Sequence, residues 1–175
     1  MTRNRIAASL SATALAVGVL CGVTTPANAV GGGDVNCGGT QITTYNPGLT
    51  LTERPVHVHL TRHFAPCISL SNPQVTFGVT EERRVTTLSC LTLAAPGTGT
   101  REIEWSTGQK SEYSYTRTIT NVGGQTVRTE TGTVTSGLFK DSTVIQVTTL
   151  VTPNILDCLG SGVTSESGPI TLTIA

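Results

Sequence analysis

Between Arg101 and Val151 the chain alternates β-branched and polar residues, with glycine-bearing turns at short intervals, and antiparallel sheet is the architecture that pattern fits. Residues 101–106 and 109–121 read as strands joined at Ser106-Thr107-Gly108, residues 125–135 return across Val122-Gly123-Gly124, and residues 143–151 form a further β-branched run. A three-residue first loop with Gly108 in the left-handed region sets Ile103 opposite Ser111 and Glu104 opposite Lys110. Ile103, Trp105, Tyr113, Tyr115 and Ile119 then share a face, whereas a two-residue loop slips the register and breaks that face apart. The second turn leaves two registers open. A three-residue loop sets Ile119 against Val127, and a two-residue Gly123-Gly124 loop sets Arg117 against Glu130.

The remainder of the chain reads as shorter pieces of the same kind. Thr40–Tyr45 is a strand ended by the turn signal Asn46-Pro47-Gly48. Val56-His57-Val58-His59-Leu60 alternates strictly, with the valines and leucine inward and the histidines outward, until Pro66 ends it. Val75–Val79 is a weaker strand, Glu81-Glu82-Arg83-Arg84 a solvated turn or edge, and Val85–Leu93 a β run stopped by Ala94-Ala95-Pro96-Gly97. Thr143–Val151 is apolar enough for a central strand, Ile155–Val163 is a loop held by Cys158, and Ile170, Leu172 and Ile174 point inward from the last strand. No stretch after residue 29 keeps a helical period. Eight or nine short strands predict an all-β, two-sheet antiparallel sandwich, with a barrel as the second choice.

At the start, Arg3 and Arg5, an apolar run from Ile6 to Val23, Pro26 and Ala27-Asn28-Ala29 have the form of an export signal over residues 1–29. This predicts one secreted, extracellular domain over residues 30–175 without a membrane span. Removing Arg3 and Arg5 from the eleven basic residues leaves nine against eleven acids. Arg62, Arg83, Arg84, Arg101, Arg117 and Arg128 are scattered among those acids, which excludes the basic stripe of a nucleic-acid surface. Four cysteines remain, and three pairings can be drawn. Cys37–Cys67 with Cys90–Cys158 is preferred, because it staples the start of the domain to the early sheet and the late loop to the middle.

Two groups of side chains are candidates for binding. His57, His59 and His63 share a parity, so two imidazoles can approach one Zn²⁺ or Cu²⁺; a solvent-facing strip explains them as well. Trp105 with Tyr113 or Tyr115 can offer an aromatic face to a sugar ring, although a single Trp is more economically a core residue. No nucleophile elbow, phosphate loop, dinucleotide fingerprint or zinc-protease helix occurs, and no pattern names a cofactor, so the balance leans away from an enzyme.

The signal ending Ala27-Asn28-Ala29, the segments Leu88-Ser89-Cys90-Leu91 and Ala95-Pro96-Gly97, the Trp105-Ser106-Thr107-Gly108-Gln109 turn and Thr135-Ser136-Gly137-Leu138-Phe139 together resemble the small exported, functionally uncharacterised proteins of actinobacteria. That resemblance implies secretion and an immunoglobulin-like sandwich, and it carries no functional residue. The functional expectation is a secreted, non-enzymatic interaction or surface-associated module whose partner is a protein or cell-surface component. Its alternatives are the histidine metal site and the aromatic carbohydrate site.

Overall fold

The computed structural model describes residues 34–93 and 95–175, so the export signal assigned to residues 1–29 lies outside the described residues. The strands in order are β1 (Val35–Leu49), β2 (Arg54–Ser69), β3 (Gly78–Leu88), β4 (Gly97–Trp105), β5 (Lys110–Val122), β6 (Gln125–Gly137), β7 (Thr143–Val151) and β8 (Val163–Ile174). Each pairs antiparallel with the next. β1 also pairs with β8, from Val35↔Ile174 to Leu49↔Val163, and the sheet closes into one eight-stranded barrel.

This overturns the two-sheet sandwich and, with it, the immunoglobulin-like arrangement implied by the resemblance. The physical reason is strand length, because the apparent stop signals do not stop the strands. β1 runs through Asn46-Pro47-Gly48, where its pairing to β8 is interrupted between Thr44 and Leu49. β2 runs on to Ser69, because Pro66 falls in a bulge where the β1 register shifts between Cys37 and Gly39, a place where a missing N–H is tolerated. Glu81-Glu82-Arg83-Arg84 lies inside β3 and is no turn. Val85–Leu93 is correspondingly shorter as a strand, ending at Leu88. Closure pairs every strand on both sides, although β3 and β4 meet over only two residue pairs.

Turn chemistry settles both hairpin registers. Ile103 pairs with Ser111 and Glu104 with Lys110, with Gly108 at φ +79°. Val122 pairs with Gln125, a two-residue Gly123-Gly124 loop that places Arg117 opposite Glu130. In β6, Gly132 passes so close to β5 that an added Cβ would lie 1.7 Å from the Ser114 carbonyl oxygen, which reserves the position for glycine.

The interior is filled in layers. At one end Trp105, Phe64, Ile103, Val35, Leu172 and Ile174 pack together, and Phe139 from the β6–β7 turn meets Trp105 edge-on at 5.5 Å between ring centroids. The Trp105 indole N–H donates to Ser111 Oγ at 2.8 Å, so this large buried side chain leaves no orphaned donor. At the other end Tyr45, Leu49, Val56 and Val58 pack with Leu88, Cys90 and Leu93. Cys37 is bonded to Cys67 beside the first layer, and Cys90 to Cys158, joining the stretch after β3 to the 3₁₀ turn Ile155–Cys158. Outward positions of β5 and β6 carry Thr116, Thr118, Thr120, Thr131 and Thr133. Among the described residues no helix is long and apolar enough to cross a membrane.

Candidate functional site

Between the two apolar ends the barrel holds charge. Along β2 the inward parity runs Val56, Val58, Leu60, Arg62 and Phe64, so the alternation that aims the aliphatic residues inward also aims Arg62 inward. The same logic turns Glu82 and Arg84 of β3, Arg101 of β4, Arg117 of β5, Arg128 and Glu130 of β6 and Glu166 of β8 toward the lumen. The guanidiniums of Arg62, Arg101, Arg117 and Arg128 thus share the interior with three carboxylates, while Arg84, at the rim, stays exposed to solvent.

Glu130, 1 % exposed, is the hub. Arg62 donates to it from Nη1 at 3.0 Å and Nη2 at 3.3 Å, Arg101 from Nη2 at 3.4 Å, and Arg117 from Nε at 3.2 Å. Gln146 Nε2 donates to Glu130 at 3.1 Å while its Oε1 accepts from Arg62 and from the Tyr113 hydroxyl, each at 3.1 Å. Gln41 accepts from Arg62 Nε at 2.8 Å. The Tyr115 hydroxyl accepts from Arg101 at 2.9 Å and Arg117 at 3.1 Å, and both guanidiniums lie over its ring. Arg101 also donates to Glu82 at 2.6 Å, and Arg84 pairs with the same carboxylate. Nearer the covered end Arg128 grips Glu166 with two bonds, 2.5 and 3.1 Å.

The electrostatics follow from burial and from these partners. Burial alone would raise the Glu130 carboxyl, but Arg62, Arg101 and Arg117 outweigh it and hold it at about 2. Burial, and then the neighbouring Arg101, pull Arg62 down from its ordinary value while Glu130 opposes them; a guanidinium stays charged at neutral pH regardless. Burial also acts to lower Arg101, yet Glu130, the tyrosines and Glu82 leave it raised. The Tyr45 and Tyr113 hydroxyls are pushed up, in both cases chiefly by burial, and remain neutral.

Above this network lies a cavity of about 200 Å³. Arg62, Arg101, Arg117, Arg128 and Glu166 line it together with Leu60, Leu88, Leu93 and Pro96. The Nε–H groups of Arg101 and Arg128 are buried without a partner. A second space of about 90 Å³ lies under the Cys90–Cys158 bridge and shares Leu93, Arg128 and Glu166 with the first. Beside this cavity the wall is thin, because β3 and β4 pair only at Gly78↔Trp105 and Val79↔Glu104. Beyond that point the Thr80 hydroxyl donates to the Glu102 carbonyl oxygen at 2.7 Å, and the Arg101–Glu82 ion pair spans the seam.

The histidines lie on the outer face of β2. His59 Nε2 donates to Glu81 at 2.8 Å, and His63 stacks on Phe77 with centroids 6.1 Å apart. His57 lines an open outer groove of about 510 Å³ with His59, Arg83 and Val85. Among the described residues no three His, Cys, Asp or Glu side chains come together as a metal set. Trp105, Tyr113 and Tyr115 are 2 %, 0 % and 8 % exposed, so all three sit inside the barrel: Trp105 in the apolar layer, Tyr113 and Tyr115 against the charged belt. The belt itself is absent from the sequence reading. Its signal was a charged residue at the parity of an apolar face, as at Arg62 beside Leu60 and Phe64. No family model matches the chain, and no curated protein or solved structure matches it either.

Proposed function

We propose that this protein is a non-enzymatic binding module that holds a small ligand inside its barrel, beside Leu93 and Pro96, in an oxidising extracellular setting. The observation that carries the reading is the 200 Å³ cavity lined both by the charged belt and by apolar residues. An eight-stranded barrel has an interior wide enough for side chains or for one small ligand. Here the Trp105 layer fills one end and the other keeps space beside the arginines. Two disulfides in a chain of this size support an exported setting, where such bonds persist. The belt supports binding over catalysis, because every carboxylate in it is already engaged by guanidinium groups.

Fragment screening of the oxidised protein by NMR tests the reading. Shifts confined to lumen-facing residues such as Thr43, Leu60 and Arg128 are the expected result. Shifts confined to the outer groove around His57 and Val85 would overturn it.

A further inference from the structure

We infer that the ligand is a compact organic carboxylate, its anionic end among Arg101, Arg117 and Arg128 and its apolar body against Leu88 and Leu93. The inference rests on the binding reading above and narrows it to one chemistry. Two observations carry it. The first is the charge balance of the lumen: the guanidiniums of Arg62, Arg101, Arg117 and Arg128 outnumber the carboxylates of Glu82, Glu130 and Glu166 by one, while Arg84 reaches Glu82 from the solvent side. Glu130 is shared among three of those cations, so the surplus sits next to the cavity, in surroundings where an unbalanced charge is costly. An anion is the guest that relieves it, and a cation aggravates it.

The second observation is the apolar part of the lining. Leu88, Leu93 and Pro96 line the same cavity as the arginines, so a bare inorganic ion would leave an apolar surface without a partner. The volume, about 200 Å³, falls below the roughly 300–1,000 Å³ of sites for drug-sized molecules, which sets the size at that of an aryl or branched-chain acid.

Isothermal titration of the full-length, disulfide-bonded protein with benzoate, 4-methylpentanoate, their neutral amides and sodium phosphate tests the inference. Saturable binding of a carboxylate, with its amide weaker by about tenfold or more and phosphate without effect, is the expected result. An R128Q/E166Q variant removes the Arg128 charge without leaving Glu166 buried alone. It should lose about tenfold in carboxylate affinity while melting as a folded protein, whereas H57A on the outer face should bind as the parent does. An amide that binds as tightly as its acid overturns the carboxylate and leaves the binding module standing. Phosphate binding at the acid's affinity overturns the organic body. Failure of every probe here, together with a fragment screen that moves no lumen resonance, overturns both the inference and the reading beneath it.

Discussion

Glu130 shows how one residue can decide whether a barrel interior is stable. Its carboxylate is shielded from water and takes bonds from Arg62, Arg101 and Arg117, so its removal leaves three guanidiniums with too little negative charge around them. Glu130→Gln keeps the shape and removes the charge, and it should destabilise the protein by about 3–5 kcal/mol in a denaturant melt, the cost of breaking a buried pair on one side. The same residue sets a pH dependence. Its folded value of about 2 lies below the ordinary 4.5, so the stability it contributes is fully present above pH 4.5. That stability is lost as the pH falls toward 2, by about 3 kcal/mol in all. Thermal melts from pH 6 down to pH 2 should show the fall, and the E130Q protein should show less of it. Trp105 makes the apolar counterpart: truncation to Ala in that packed layer should cost about 3–5 kcal/mol. The outer pair His59–Glu81 is solvent-exposed, and H59A should move stability by no more than about 1 kcal/mol.

The strands and their connections differ in how they hold the wall. β5 and β6 pair along their full length, from Ser111↔Gly137 to Val122↔Gln125, whereas β3 and β4 share two residue pairs. Above Val79, the β3 amides turned away from β2 therefore have no ladder partner on β4, and hydrogen exchange should find them opening before the β5–β6 ladder. The cover over the cavity depends on the Cys90–Cys158 bond, which closes a 68-residue separation. Replacing both cysteines by Ser should cost about 4 kcal/mol in the chain-entropy account, read from the denaturation midpoint. Much of this level was legible. The Ser106-Thr107-Gly108 turn fixed its register because only one loop length keeps Ile103, Trp105 and Tyr113 on one face. The Gly123-Gly124 turn was ambiguous because an apolar pair and a charge pair pointed to different registers, and the buried Arg117–Glu130 contact resolves it. Glu81-Glu82-Arg83-Arg84 misled for a related reason. Four consecutive charges look solvated, and Glu81, Arg83 and Arg84 are exposed, yet alternation turns Glu82 toward the lumen, where Arg101 meets it.

For the whole molecule, closure makes the layers interdependent. Every strand that contributes to the Trp105 layer or to the charged belt is paired to neighbours around the complete ring, so neither layer can come apart alone. Calorimetric unfolding of the oxidised protein should be a single transition with equal calorimetric and van't Hoff enthalpies. Alternation along each strand, read without any structure, already told which side chains share a face. It placed His57 and His59 opposite Val56 and Val58, and Ile170 with Leu172 and Ile174. Those are local properties, set by a backbone whose side chains point alternately up and down. Whether the faces meet as two sheets or curl into one ring depends on the pairing of Val35 with Ile174, at opposite ends of the described chain. No local pattern encodes that contact. The belt has the same origin: Arg62, Arg101, Glu130 and Glu166 are far apart in sequence, and only closure brings their inward sides around a single lumen, where burial turns scattered surface-like charges into a site.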